Sequence, residues 1–178
     1  MLRRCETLRL CPTMTDFRAL LELLTRKGIE FIVVGGAAAT AHGSVRLTRD
    51  LDVVYRRTPG NIRRLAVALA NHRPYLRGAP PGLPFRWNSQ TIKRGLNFTL
   101  ETDLGNLDLL GEITGGGKYE QLLPYSERRR IFDVNCRCLG LKRLIEVKRA
   151  TGRPRDLEVV AELEALLEES RRAAPKKD

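Results

Sequence analysis

Asp50 and Asp52, one residue apart, open an otherwise apolar run that continues Val53-Val54-Tyr55. In an extended chain side chains alternate between faces, so both carboxylates point the same way. Like charges held together repel and weaken a fold unless something positive lies between them, and a divalent cation does that. Magnesium takes oxygen ligands and is commonly held by one or two carboxylates together with substrate phosphates. Upstream lies a complementary feature: the apolar run Phe31-Ile-Val-Val34 is stopped by Gly35-Gly36, where the backbone must turn tightly or approach something closely. Ala37 to Ala41 are strong helix formers, so the first-turn amides beside two residues without side chains offer a place for an anion. The simpler reading of an isolated Asp-x-Asp makes Asp50 a turn cap and Asp52 a solvated strand residue. A glycine turn for phosphate next to paired carboxylates for a cation favours the chemical reading, with Mg2+ or Mn2+ as the ion.

These residues need a strand, a glycine turn, a short helix and a second strand to hold them. Ahead of them, Phe17, Leu20, Leu21 and Leu24 recur on one helical face, with Thr15 or Asp16 to cap the start and Gly28 to end it. After the second strand, Pro59-Gly60-Asn61 marks a turn, and Ile62, Leu65, Ala66 and Leu69 give an amphipathic helix ending near His72. Gly78 to Pro84, with its three prolines and two glycines, excludes regular structure. It is expected to be a surface loop, and Trp87 beyond it to pack against the core rather than stack on a base.

Thr91 to Leu100 and Leu107 to Ile113 flank the turn signal Asp103-Leu-Gly-Asn106, which predicts a hairpin of two strands. Asp108 is then an acid between leucines in a strand, and a buried carboxylate is costly unless it is paired or bound to a cation. Asp103 belongs to the turn and needs no partner. Gly115-Gly-Gly-Lys118 is not a P-loop: Glu112 stands where the first glycine belongs and Tyr119 where Ser or Thr must follow the lysine. It is expected to be a flexible exit from the hairpin. Ile131 to Cys138 is predicted as a last strand, Leu139 to Ala150 as a helix, and Arg155 to Glu169 as the final helix after the break Thr151-Gly-Arg-Pro154.

Gly35, Gly36, Asp50 and Asp52 resemble the signature of the nucleotidyltransferase superfamily with a polymerase-β-like core: an apolar residue, Gly-Gly or Gly-Ser, a spacer, then Asp-x-Asp in an apolar strand. Within it, the stretch from Val33 to Val53 is most similar to the toxin-like nucleotidyltransferases of abortive-infection (type IV) toxin-antitoxin systems. The resemblance implies an α+β fold, a mixed sheet flanked by helices with C-terminal helices packed on the core. It assigns Asp108 as the third catalytic carboxylate, a general base that also helps hold metal with Asp50 and Asp52. Where the wider superfamily often has a phosphate-contacting serine this chain has Gly36, so that contact falls to backbone amides, Arg46 or Thr48.

Lys148, Arg153 and Asp156 resemble the C-terminal motif of the same branch, where basic groups face the nucleotide phosphates and an acid supports them. The competing explanation is local: Gly152 ends one helix, Pro154 starts the next, and Asp156 in the first turn complements the helix dipole. The implied activity is metal-dependent transfer of a nucleoside monophosphate from a nucleoside triphosphate to a hydroxyl acceptor, with tRNA or another RNA as the implied acceptor and a cognate antitoxin as an implied partner. The rival readings are a small-molecule or protein acceptor, and a non-catalytic RNA-binding or antitoxin-like module that kept the fold.

With 178 residues the chain fits one domain: a loose extension over 1–13, a core over 14–138, a C-terminal helical part over 139–170 and a frayed tail over 171–178. Met14 is a candidate start. The N-terminus lacks the apolar segment of a signal peptide and no run approaches a membrane span, so the cytoplasm is the expected location. The formal net charge of +11 points to an anionic partner or to a basic solvated surface rich in segments such as Arg128-Arg129-Arg130. Cys5, Cys11, Cys136 and Cys138 match no zinc spacing and read as incidental or buried thiols.

Overall fold

The computed structural model describes residues 14–173. The expected extension over 1–13, with Cys5 and Cys11, and the end of the expected tail lie outside them. Helix α1 (Phe17–Arg26) starts at Asp16, whose side chain accepts from the Ala19 amide, and buries Leu20, Leu21 and Leu24. It feeds strand β1 (Phe31–Val33), buried throughout. Helix α2 (Gly35–Ala41) follows at once, beginning at Gly35 itself, and strand β2 (Asp50–Tyr55) returns antiparallel to β1. Helix α3 (Pro59–Leu69) is capped by the Thr58 hydroxyl, carries proline at its start, and ends in a 3-10 turn at Ala70–His72.

Three short elements follow: strand β3 (Tyr75–Leu76), helix α4 (Ser89–Arg94) and strand β4 (Asn97–Thr102). The first half of the segment expected as a strand from Thr91 is thus helical. The Asn88 side chain caps it by accepting from the Thr91 amide at 2.9 Å, and Ile92 is its only buried side chain. Strand β5 (Gly105–Leu110) completes the expected hairpin with β4. The triple glycine is a tight turn rather than a flexible exit: Ile113 and Gly117 pair across it, and helix α5 (Tyr119–Leu122) starts directly afterwards.

The expected single strand at 131–138 is in fact a hairpin. Strands β6 (Ser126–Ile131) and β7 (Val134–Leu139) turn through Phe132 and Asp133, both with positive φ (45° and 67°), the backbone of a two-residue hairpin loop. Arg128 to Arg130, expected in a surface segment, therefore lie on an edge strand. Helix α6 (Leu141–Thr151) ends at Gly152 with φ 65°, and helix α7 (Pro154–Ala173) carries regular structure to Ala173, past the expected start of fraying.

Among the described residues seven strands form one mixed sheet in the order β3-β4-β5-β2-β1-β7-β6. Strand β2 is parallel to β5 and antiparallel to β1, and β1 is parallel to β7. Alternation decides the faces. Leu51, Val53, Leu107 and Leu109 point into the core with Phe98 and Leu100, leaving Asp50, Asp52, Asn106, Asp108, Thr99 and Glu101 on the other face. This is the expected α+β architecture. Among the described residues no helix is long and apolar enough to cross a membrane.

Candidate active site

The parallel ladder between β2 and β5 pairs Asp52 with Asp108 and Asp50 with Asn106. Register therefore brings the Asp-x-Asp and the acid set between leucines side by side on one face. Strand β4 extends the row, with Thr99 opposite Asp108 and Glu101 opposite Asn106.

Burial and the neighbouring carboxylates raise the affinity of Asp52 and Asp108 for protons. Asp52 is pushed up to about 7, first by burial, then by the charges of Asp108 and Asp50, with a hydrogen bond from the Gly36 amide and the nearby Lys148 ammonium acting against them. Asp108 is also raised, chiefly by burial, although Arg77 pulls it down.

Arg77, which sequence reasoning missed, lies across the site. Its Nη2 donates to Asp108 Oδ1 and Oδ2 at 2.9 and 3.2 Å, and its Nη1 lies 3.2 Å from Asp50 Oδ2. It follows the two-residue strand β3, and its amide donates to the Thr99 carbonyl at 2.9 Å, so one backbone bond aims the side chain over β4 and β5 toward β2. No motif marks it. An arginine before a proline-rich loop is an ordinary surface residue until sheet order places β3 beside β4.

Gly35 and Gly36 meet the site from the other side. Gly35 has φ 60°, and a Cβ there would overlap the Asp52 carboxylate; a Cβ on Gly36 would come within 2.5 Å of Thr48 Oγ1. The Thr48 hydroxyl donates to the Asp50 carbonyl at 3.1 Å. Glycine at 36 is thus what allows Thr48 to stand next to α2 with its hydroxyl at the turn.

Of the other expected phosphate-binding residues, Lys148 reaches the site and is nearly buried, its Nζ 2.9 Å from Asp156 Oδ1. Lys148 and Asp156 therefore act as one paired unit. Arg46 does not face the carboxylates: it is held by α7 through Glu158 at 3.1 Å and Glu162 at 3.4 Å, because α7 returns over the loop between α2 and β2. Arg153 is exposed in the link between α6 and α7 and forms no ion pair among the described residues.

Asp103 does have a partner, His72 Nδ1 at 2.9 Å, and stays in the turn away from the carboxylate row. Trp87 packs edge-on to Phe98 at 5.6 Å between ring centres, as expected. Cys136 and Cys138 are buried, their thiols pushed up to about 11 and about 12 by burial.

The donor set fits a hard divalent cation: three carboxylates with oxygen ligands, burdened by mutual repulsion and already bridged at two members by a positive group. Asp50 and Asp108 are turned onto Arg77, and no three acid, His or Cys side chains among the described residues converge on one point as a finished metal shell. A cleft of about 450 Å3 lined by Leu96, Glu112, Gly115, Gly117, Gln121 and Arg143 lies past the C-terminal end of β5 and does not include the carboxylates.

No protein-family model and no curated protein matches the chain. Among solved structures it is similar to a "putative nucleotidyltransferase (TM1012)" from Thermotoga maritima, with a TM-score of 0.52 at 14% identity over 85% of this chain and 90% of that one. At that identity the likeness concerns the fold, and the two chains share one fold over most of their lengths.

Proposed function

We propose that the protein is a metal-dependent nucleotidyltransferase that moves a nucleoside monophosphate from a nucleoside triphosphate to a hydroxyl acceptor. The observation that carries this reading is the register of β2 against β5, which sets Asp108 beside Asp52, whose own carboxylate lies against Gly35. Asp50, Asp52 and Asp108 would hold Mg2+ or Mn2+. When bound, the ion would neutralise charge on the triphosphate and on the attacking and leaving oxygens.

The acceptor hydroxyl attacks the α-phosphorus as the bond to the β-phosphate oxygen breaks, and pyrophosphate leaves. Asp108 takes the hydroxyl proton, a role suited to a carboxyl whose affinity for protons is raised. Gly35, Gly36 and Thr48 border the triphosphate, and Lys148, held by Asp156, faces its charge. Such transfer depends on positioning and charge neutralisation, not on a covalent nucleophile. Arg46 and Arg153 join this set only with a rearrangement of the α6–α7 region.

RNA is the proposed acceptor, tRNA included. The net charge of +11 and the exposed Arg128 and Arg130 on edge strand β6 support a polyanion. A cognate antitoxin as partner is proposed from the resemblance alone. The test is incubation of the full chain with Mg2+, each labelled nucleoside triphosphate in turn and total bacterial RNA, beside the Asp50→Asn/Asp52→Asn variant. Label in a discrete RNA species with the wild type alone is expected. Equal labelling by the variant overturns the carboxylate assignment, and label found only on protein or small molecules overturns the RNA acceptor.

A further inference from the structure

Arg77 occupies the space between two carboxylates that the proposed reaction assigns to a cation. Its guanidinium spans Asp108 on β5 and Asp50 on β2, and its side chain is 23% exposed. Three features separate this contact from an ordinary surface ion pair. The planar fork reaches two acids on two strands, which an ammonium of one nitrogen cannot do in the same way. Nη1 is buried and, although 3.2 Å from Asp50, makes no aligned hydrogen bond among the described residues, which leaves it donor capacity for a ligand. The backbone is fixed by the amide bond to Thr99, while the next residue, Gly78 with φ 76°, opens the loop toward Asn88. The guanidinium can therefore leave by side-chain rotation without disturbing the sheet.

We propose that Arg77 is the built-in counter-ion of the carboxylate face, which a divalent cation must displace from Asp50 and Asp108, and that the freed guanidinium then pairs with the polyphosphate of the substrate. This rests on the reading of Asp50, Asp52 and Asp108 as metal ligands. Arg77 is thus a positioning residue without cation and a phosphate-binding residue with it. The bridge relieves repulsion among three neighbouring acids, and it makes cation binding and availability of the phosphate ligand one event.

The test measures Mn2+ affinity of the full chain by calorimetry without nucleotide, in wild type, Arg77→Met, Arg77→Lys and Asp50→Asn/Asp52→Asn. Removal of the bridge is expected to tighten Mn2+ binding about tenfold in Arg77→Met. Arg77→Lys keeps the charge but cannot span both acids, so it is expected to bind a few-fold tighter than wild type, on the order of three to fivefold. With saturating Mg2+, affinity for a non-hydrolysable nucleoside triphosphate is expected to fall about tenfold in Arg77→Met.

Unchanged or weaker Mn2+ binding in Arg77→Met overturns the displacement, and wild-type affinity in Arg77→Lys reduces Arg77 to a through-space charge and overturns it too. Where Arg77→Met fails to fold, Arg77→Lys decides alone. Mn2+ binding that persists in Asp50→Asn/Asp52→Asn overturns the metal assignment itself, an outcome separate from failure of the Arg77 variants.

Discussion

Gly35 stands so close to Asp52 that a single added carbon on the glycine would overlap the carboxylate. Its φ of 60° is also a conformation that other residues adopt only with strain. Gly35→Ala is expected to lower stability by about 1–3 kcal/mol, measured by urea unfolding. Asp52→Ala removes the carboxylate from that overlap, so the two substitutions together should cost less than their sum, with a coupling of roughly 0.5 kcal/mol or more. Strict additivity would show that the overlap is absent in solution.

The second glycine makes a different prediction. Thr48 Oγ1 and Cβ lie 2.5 and 2.6 Å from where a Gly36 Cβ would be. Gly36→Ser should destabilise by about 1–3 kcal/mol through overpacking. Thr48→Gly in that background should recover part of the loss. No recovery of the thermal midpoint would mean that the helix start itself, rather than Thr48, rejects the side chain.

Asp52 should give stability a pH slope in chelator. Its carboxyl holds a proton up to about 7 in the folded chain, whereas an ordinary aspartate releases it near 3.8. Between these values the folded state binds more protons than the unfolded one, so this group's contribution falls as pH rises from about 4 to about 7 and levels off above. Asp52→Asn removes the slope. Between pH 5 and 8 the variant should gain roughly 2–3 kcal/mol relative to wild type. A difference that stays constant across that range in denaturant titrations contradicts the burial and repulsion described for Asp52.

Lys148 and Asp156 should behave as one unit. Lys148→Met leaves Asp156 without its partner at a half-buried position and is expected to cost about 1–3 kcal/mol. Lys148→Met/Asp156→Leu should be more stable than Lys148→Met alone, while both lose triphosphate affinity. If the double variant binds triphosphate as wild type does, Lys148 is a structural ion pair and not a phosphate ligand.

Much of the fold was legible because it rests on local rules. The cap at Asp16, the proline start of α3, the glycine end of α6 and the alternation in β2 and β5 are each decided within a few residues. The misread elements are those in which short-range signals compete. Thr91 and Ile92 are β-branched, yet the Asn88 cap turns them into a helix. Phe132-Asp133 carries no glycine, and only its pairing context holds both residues at positive φ.

The amino-acid sequence alone marked the candidate residues: Asp50 and Asp52 on one face by alternation, Gly35 and Gly36 at a turn, and Asp108 as an acid in an apolar strand. Only the tertiary structure decided who meets whom. Strand order and register, which link residues far apart in the chain, put Asp108 beside Asp52, draw Arg77 over both β5 and β2, and send Arg46 to α7 instead. Local preference sets the direction of a side chain, but its partner is set by packing between distant segments, which no short stretch of sequence contains.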